Sequence, residues 1–164
     1  MRRKHKIAQM DVALLYRKTT EDAVAPSKAT PGSWGFDIAS NKTVTIKPGE
    51  IVLVPTGLIV KRIFHHSMIA LVPRSSLAIK KKLIFPHSIG IIDDDYCGEE
   101  DELKVPLLNI SDKPVTINKG ERIAQIIVFK VVSGEAVYFP KPFKDTSRGG
   151  FGSTGGYTTE KQDH

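Results

Sequence analysis

The residues best suited to chemistry lie in one short stretch, 87–100, in which three consecutive aspartates (93–95) are followed by Tyr96 and Gly98. The β-branched run before them, 89–92, favours extended backbone, whereas Asp and Gly favour tight turns. The stretch therefore predicts a hairpin with carboxylates and an aromatic ring at its tip. Because adjacent like charges repel, this cluster is costly unless a cation, a basic partner or open solvent lies beside it.

A second candidate lies near the C-terminus, where residues 148–157 are rich in Gly, Ser and Thr. The spacing Gly-x-Gly-x-x-Gly at 150–155 matches a dinucleotide-binding fingerprint, but that fingerprint needs a strand before it and a helix after it. Only nine residues follow position 155. Such composition is typical of a flexible linker, yet Arg148 supplies a phosphate donor and Phe151 a ring that can stack. The segment is predicted to be an arm able to close over a nucleotide.

The elements that must position these residues are predicted to be short β-strands separated by turns that carry Gly, Pro, Asn or Asp. The runs are 7–16, 44–46, 51–54, 58–63, 68–72, 103–110, 115–117, 122–132 and 136–139. A short helix is predicted over 75–82. Many short strands with regular turns predict an all-β, jelly-roll-like sandwich or barrel. We expect this β domain to span 1–144 and a flexible Gly-rich C-terminal arm to span 145–164.

An internal repeat supports the β prediction. Residues 40–50 (SNKTVTIKPGE) are matched by residues 111–121 (SDKPVTINKGE). Each copy predicts a turn, a short strand, a second turn and the start of the next strand. Two copies are too few for a solenoid but fit two related hairpins in a double-wound β fold.

Composition limits the class of protein. A chain of 164 residues is large enough for one domain with its own core. No run is long enough for a membrane span and no signal peptide is evident. Cys97 is the only cysteine, which fits a reducing, cytoplasmic location. The net charge of +6 favours a phosphate-bearing ligand. No basic stripe interleaved with aromatics is present, so no nucleic-acid partner is expected.

Five stretches now form an ordered set. They are Gly-Phe-Asp at 35–37, Pro-Arg-Ser-Ser-Leu-Ala at 73–78, Gly-Ile-Ile-Asp-Asp-Asp-Tyr at 90–96, Gly-Glu-Arg-Ile-Ala-Gln at 120–125 and Gly-Phe-Gly-Ser-Thr-Gly at 150–155. In this order and at these distances they resemble the five motifs of the trimeric dUTP pyrophosphatases (dUTPases). The resemblance covers roughly residues 34–155, and its specificity comes from the set rather than from any one motif.

The resemblance implies roles for the hairpin. Asp93 would orient the attacking water and contact the sugar 3′-hydroxyl, two tasks that suit a carboxylate. Tyr96 would lie under the deoxyribose and leave no room for a 2′-hydroxyl. Backbone groups of the hairpin, including those of Gly90 and Ile92, would contact the uracil edge. The aspartates at 94 and 95 are interpreted as turn formers only.

The resemblance also implies a phosphate-binding set. Arg74 and Ser75, with Ser76 beside them, would hold phosphate oxygens, and Gln125 would add an amide donor. Asp37 would act on a Mg²⁺ ion through water. In the arm, Phe151 would stack on the uracil. The other substrate-binding residues of the arm would be Arg148, Gly152, Ser153 and Thr154.

The activity implied is hydrolysis of dUTP to dUMP and pyrophosphate, by attack of water on the α-phosphate with Mg²⁺ as cofactor. Positioning and charge neutralisation are the usual means of accelerating phosphoryl transfer. The family forms homotrimers in which each site draws on all three chains, so the arm is expected to serve a neighbour's site.

Two alternatives stay open. Ser76 stands where dUTPases usually have glycine, and Arg-Ser-Ser-Leu-Ala also resembles the dCTP deaminases and the bifunctional dCTP deaminase/dUTPases. Deamination needs a further carboxylate where Pro106 is aligned, and Asp101 or Glu102 could replace it only if the strand slipped. The second alternative is a non-catalytic nucleotide-binding module. Two further departures are an acidic insertion at 99–102 and the short spacing between Arg148 and Phe151.

Overall fold

The computed structural model describes residues 13–132, 134–143 and 146. By its internal contacts the chain divides into two units, Met1–Ser133 and Gly134–His164. Apart from residue 146, the predicted arm lies outside the described residues, so the boundary at 144 stays a prediction. Among the described residues, no helix has the length and apolar character needed to span a membrane.

Residues 13–132 contain eleven strands and one helix. They are β1 (Leu14–Lys18), β2 (Phe36–Ala39), β3 (Val44–Ile46), β4 (Ile51–Pro55), β5 (Leu58–Arg62), β6 (Ser67–Pro73), α1 (Ser75–Lys81), β7 (Leu83–Ile84), β8 (Gly90–Ile92), β9 (Lys104–Asn109), β10 (Val115–Ile117) and β11 (Arg122–Lys130).

Every sheet in this unit is antiparallel. The largest has the strand order β2-β11-β6-β8, a second has the order β4-β9-β7, and β1 pairs with β5. Strand residues alternate between the core and the surface, as in β9, where Val105, Leu107 and Asn109 are buried. The predicted all-β, jelly-roll-like architecture is confirmed.

Two predicted strands differ from the structure. The opening strand was expected over 7–16, but β1 spans Leu14–Lys18 and the residues before 13 lie outside the described part. The run 136–139 forms no strand in the described residues. A strand is stable only when it pairs, and this run has no paired strand within the described residues of the second unit.

The internal repeat has a direct structural meaning, because its two strands pair with each other. β3 and β10 form a two-stranded antiparallel sheet in which Thr45 faces Thr116, and their hydroxyl oxygens lie 2.9 Å apart. The turns that follow are alike: Glu50 accepts a hydrogen bond from the backbone N–H of Lys47, and Glu121 accepts one from that of Asn118. The repeat therefore marks two related strand–turn–strand units. The predicted hairpins are wrong, because after each turn the chain passes to another sheet: β4 pairs with β9, and β11 pairs with β2 and β6.

Asn109, at the end of β9, anchors the paired strands β3 and β10. It is fully buried, and its amide nitrogen donates to the carbonyls of Ile46 (2.9 Å) and Lys113 (2.7 Å). Its amide oxygen accepts from the backbone N–H (2.9 Å) and the hydroxyl (2.7 Å) of Ser111. All four hydrogen-bonding positions of the amide are thus used, which joins β3, β9 and the turn before β10.

Replacing Asn109 should therefore destabilise the fold. We expect Asn109→Ala to lower the free energy of unfolding by about 2–4 kcal/mol, because it leaves buried polar groups without partners. Urea denaturation measures the loss. Asn118→Ala is the matched control, since Asn118 is exposed in the second copy of the repeat, and it should change stability by less than about 0.5 kcal/mol. Equal effects of the two changes would contradict the role assigned to Asn109.

Candidate active site

A buried carboxylate with two arginine partners forms the centre of the site. Asp37, on β2, is only 8% exposed. Its Oδ1 lies 3.1 Å from Nε of Arg74, and its Oδ2 lies 3.1 Å from Nη1 of Arg122. Burying an unpaired carboxylate is costly, and the two guanidinium groups offset that cost. Two positive groups share one negative group, so the partly exposed arginines retain an excess positive charge for an anion.

Three strands bring these groups together. β11 lies between β2 and β6, and Gln125 of β11 faces Asp37 on one side and Val72 on the other. Arg74 directly follows β6, where its extended backbone forms the N-cap of α1. Its side chain makes no capping bond and reaches Asp37 instead. The strand order thus dictates that the residues predicted to bind phosphate lie at one end of this sheet.

These residues line a cleft of about 280 Å³, named here the arginine cleft, whose lining includes Trp34, Asp37, Arg74, Ser75 and Gln125. Ser75 is the first residue of α1 and is exposed. Trp34 is 85% exposed at this cleft. Four residues predicted to act on phosphate or its metal ion, Asp37, Arg74, Ser75 and Gln125, therefore lie together.

Gly35 has no side chain and so leaves the space that the Gln125 amide occupies in the arginine cleft. A Cβ added at Gly35 would lie 2.2 Å from Oε1 of Gln125, far inside contact distance. The Gln125 amide nitrogen in turn lies 3.4 Å from the carbonyl oxygen of Pro73. The glycine of the Gly-Phe-Asp stretch is thus required for space, because any larger residue would displace the amide.

Ser76 does not line the arginine cleft. It lines a separate basic cleft with Lys80, Lys81, Arg74 and Arg122. Adjacent helical residues point in directions about 100° apart, so Ser75 and Ser76 of α1 serve different clefts. Arg74 borders both.

The predicted catalytic aspartate lies in a tight turn after β8. The backbone N–H of Tyr96 donates to the carbonyl of Asp93 (3.2 Å), which brings the two residues together. Within the described residues the Asp93 carboxylate is exposed and makes no hydrogen bond or ion pair, so it can accept one from water. Residues 93–98 are named here the acidic turn.

Asp94 does more than form a turn, contrary to expectation. Its Oδ2 lies 3.0 Å from Nη2 of Arg62, at the end of β5. Cys97 Sγ, on the same turn, lies 3.6 Å from Nζ of Lys61. Neighbouring residues of β5 therefore hold the acidic turn, and Arg62 relieves part of the repulsion among its carboxylates.

Gly90 and Ile92 lie on β8, which pairs with β6 by the register Gly90 to Leu71 and Ile92 to Ile69. Gly90 is buried, and a Cβ there would lie 3.4 Å from both Leu71 Cβ and His87 Nε2. Ile92 is partly buried and packs against the core. The predicted strand is therefore present, at the edge of the large sheet. The predicted hairpin is wrong, because β8 pairs with β6 and the described chain after the aspartates forms no strand before β9, which pairs with β4 and β7.

The acidic turn and the arginine cleft lie at opposite ends of β6. Continuing the β6–β8 register by one residue brings Asp93 beside Met68, whereas Arg74 follows the far end of the strand. Arg74 lies six positions after Met68, which is about 20 Å along an extended strand. The predicted catalytic carboxylate and the predicted phosphate ligands of one chain are therefore too far apart to act on one phosphate.

The residues predicted in the C-terminal arm lie outside the described residues. They are Arg148, Phe151, Gly152, Ser153 and Thr154. Their roles stay predictions.

Sequence reasoning missed two arginines. Arg122 is within the Gly-Glu-Arg-Ile-Ala-Gln stretch and is its only cation, a signal that could have pointed to an acidic partner. Arg62 carries no such signal, because its partner Asp94 is far along the chain and only the fold brings them together.

The carboxylates of the part of the chain that the structure describes are dispersed. Among the described residues, no group of three or more His, Cys, Asp or Glu side chains is placed to hold a metal ion. Both oxygens of Asp37 already have arginine partners: Oδ2 accepts a hydrogen bond from Arg122, and Oδ1 forms an ion pair with Arg74. Each oxygen keeps a lone pair for water, so the residues fit an ion that arrives on the substrate's phosphates and reaches Asp37 through water.

Comparison with known proteins agrees with the ordered motifs. The sequence model of the dUTPase family matches residues 21–155. The chain is 45% identical over 145 residues to deoxyuridine 5′-triphosphate nucleotidohydrolase of Hydrogenobaculum sp. (strain Y04AAS1), an alignment that covers 87% of this chain and 97% of the relative. The chain belongs to the dUTPase family.

Two further members of the dUTPase family show how far the likeness extends. The nucleotidohydrolase of Nautilia profundicola is 40% identical over 144 residues, covering 87% of this chain and 98% of the relative. A structure of the Staphylococcus bacteriophage 80alpha dUTPase with dUPNHPP superposes with a TM-score of 0.76 at 25% identity, covering 87% of this chain and 98% of that chain. The likeness therefore includes the fold as well as the motifs.

The crowding at Gly35 allows the role of Gln125 in the arginine cleft to be tested. Gly35→Ala should displace Gln125 and weaken binding of a nucleoside triphosphate about tenfold, as expected for loss of one hydrogen bond to a charged group. Isothermal titration calorimetry with a non-hydrolysable dUTP analogue measures the change. Gly32→Ala is the control, because a Cβ at Gly32 would meet nothing within 4 Å. Unchanged affinity in Gly35→Ala would show that Gln125 does not bind the ligand.

Proposed function

We propose that this protein hydrolyses dUTP to dUMP and pyrophosphate. Membership of the dUTPase family supports the substrate, since the relatives are named for the same activity. The observation that carries the proposal is the arginine cleft, in which two partly exposed guanidinium groups share the buried carboxylate of Asp37 beside Ser75 and Gln125. This arrangement offers positive charge and neutral donors to a triphosphate.

At the phosphates, Arg74 donates through its planar guanidinium, with Ser75 and Gln125 adding a hydroxyl and an amide. Ser76 lines the basic cleft on the other side of Arg74. It contacts only the part of the ligand that extends into that cleft. Asp37 fixes Arg74 before the ligand arrives. A preorganised donor costs no reorganisation when charge develops on the phosphate oxygens.

At the reacting atom, Asp93 accepts a hydrogen bond from a water and receives its proton as the water oxygen attacks the α-phosphorus. The bond from the α-phosphorus to the bridging oxygen of the β-phosphate breaks, and pyrophosphate leaves. The exposed carboxylate of Asp93 supports this role, because no other described side chain occupies its lone pairs. The backbone of Gly90 and Ile92 contacts the uracil edge, and Tyr96 packs under the deoxyribose.

The substrate would be dUTP with Mg²⁺ on its phosphates. When bound, the ion supplies charge neutralisation to the phosphates. Asp37 would orient the ion's water shell through the lone pairs left free by the two arginines.

Assembly into a homotrimer completes the site. The separation of about 20 Å along β6 supports this, because Asp93 of one chain must meet the arginine cleft of another. Cyclic closure allows every copy to give and receive one such contact. The arm residues Arg148, Phe151, Gly152, Ser153 and Thr154 then close over the nucleotide, with Phe151 stacked on the uracil.

The deaminase alternative has no support in the described residues. Pro106 faces Leu53 in an unbroken β4–β9 register, so the strand has not slipped. Glu102 accepts a hydrogen bond from the Gly57 N–H (2.7 Å), and Asp101 accepts one from the Gly98 N–H (2.7 Å). Both carboxylates are therefore engaged within the chain instead of standing ready for proton transfer.

Product analysis tests the proposal. With Mg²⁺, the protein should release dUMP and pyrophosphate from dUTP and should leave dCTP and dTTP unchanged. Asp93→Asn should lower kcat at least a hundredfold, the usual scale of a lost general base, while binding of a non-hydrolysable dUTP analogue is kept. This combination separates an enzyme from a non-catalytic nucleotide-binding module.

The control is Asp95→Asn, an equal change of charge in the same turn. It should reduce kcat only slightly, because Asp95 is assigned no contact with substrate. Conversion of dCTP to a uracil nucleotide would overturn the proposal in favour of a deaminase. Absence of turnover with every nucleotide would leave only the binding module.

A further inference from the structure

We infer that Glu102, in the acidic insertion, is a positioning residue that fixes the ring of Tyr96 and thereby sets the discrimination between deoxyribose and ribose. The inference rests on the proposed function, because it concerns the sugar of the same nucleotide. It gives the insertion at 99–102 a task in substrate selection, carried out through Tyr96 without contact with the substrate.

The Tyr96 ring is fixed at its outer end by this insertion. The Tyr96 hydroxyl donates to the backbone carbonyl of Glu102 (3.1 Å). The ring itself is 41% exposed, so this bond is a principal restraint on its tilt. A tyrosine with a free hydroxyl at such exposure exchanges orientations readily.

Glu102 is in turn held by its own side chain. Its Oε1 accepts a hydrogen bond from the backbone N–H of Gly57 (2.7 Å), in the turn between β4 and β5. Gly57 has a φ of +70°, and a Cβ there would lie 2.7 Å from that of Ala23 and 2.8 Å from Nδ2 of Asn41. The turn that supplies the N–H is therefore fixed by close packing, because both crowding partners are buried.

The next residue ties the same loop to the core. Leu103 is buried, its N–H donates to the carbonyl of Leu58 (2.7 Å), and its carbonyl accepts from the hydroxyl of the buried Thr56 (2.6 Å). Residues 102 and 103 are thus held against the β4–β5 turn at three points. Tyr96 gains a rigid support from the core, through a segment that lies outside the five motifs.

The insertion also folds on itself so that it can reach this position. The Gly98 N–H donates to the Asp101 carboxylate (2.7 Å), and the Glu102 N–H donates to the carbonyl of Glu100 (2.9 Å). The four consecutive acidic residues of the insertion repel one another. Hydrogen bonds from backbone N–H groups to Asp101 and Glu102 offset part of this repulsion. The negative charge of Glu102 strengthens the hydrogen bond that it accepts from the Gly57 N–H, and this bond in turn supports Tyr96.

The rigidity of the Tyr96 ring decides the selectivity for deoxyribose over ribose. A ring that lies under C2′ excludes a 2′-hydroxyl only if it cannot retreat by about the radius of one oxygen atom. If Glu102 loses its bond to Gly57, Leu103 still holds the following peptide, but the Glu102 carbonyl is free to tilt and its hydrogen bond from the Tyr96 hydroxyl weakens. The site then admits UTP with little change in its handling of dUTP.

The test compares kcat/KM for dUTP with that for UTP. Glu102→Ala should reduce the dUTP-to-UTP ratio about tenfold, the effect of one lost hydrogen bond. Tyr96→Phe should reduce it to a similar extent, and the double variant should be no worse than either single one, because both remove the same support. Glu102→Gln should keep the ratio near wild type, since an amide oxygen also accepts from the Gly57 N–H.

Glu99→Ala is the matched control, an equal loss of charge in the same insertion at a side chain with no hydrogen bond or ion pair among the described residues. Its ratio should equal that of the wild type. An unchanged ratio in Glu102→Ala, or additive losses in the double variant, would overturn the inference even if dUTP turnover or thermal stability falls.

Binding measurements distinguish a failure of this inference from a failure of the proposed function. The same variants are titrated with non-hydrolysable dUTP and UTP analogues, whose affinity ratio should fall in the same order. A wild-type protein without dUTP turnover would overturn the proposed function, whereas an affinity ratio that Glu102→Ala leaves unchanged would overturn the role of Glu102.

Discussion

The ion pairs of Asp37 with Arg74 and Arg122 are the interaction on which the site depends. They join the first strand of the large sheet, the junction of β6 with α1 and the start of β11, three segments that are distant in sequence. Removing the carboxylate would leave two guanidinium groups facing each other without compensation. Because Asp37 is buried, the pairs fix the arginines while leaving their outer faces open to an anion.

The geometry of β6 determines how the remaining parts can be used. One end of this strand leads to the arginine cleft and the other lies beside the acidic turn, so in the proposed trimer each chain contributes two half-sites. Each half has its own supports. The acidic turn is held by Arg62 and Glu102, neither of which contacts the arginine cleft. If the proposed trimer forms, the length of this strand makes function a property of the assembly.

Much of the fold and half of the site could be predicted from the sequence. The repeat at 40–50 and 111–121 predicted the strands and turns, because β-branched runs and Gly turns are local signals, but not that β3 would pair with β10. Asp37, Arg74, Ser75 and Gln125 were found from ordered motifs and lie together. The pairs of Arg122 with Asp37, Arg62 with Asp94 and Glu102 with Gly57 join residues far apart in sequence, so local patterns did not predict them.

The most direct test of shared sites is to mix two inactive variants. Chains carrying Asp93→Asn and chains carrying Arg74→Ala are unfolded, combined in equal amounts and refolded together, and dUTP hydrolysis is measured. If each site takes its aspartate and its arginine from different chains, about a quarter of the sites receive both intact residues and activity returns. Activity no greater than that of the separately refolded variants would contradict the account and place each complete site within one chain.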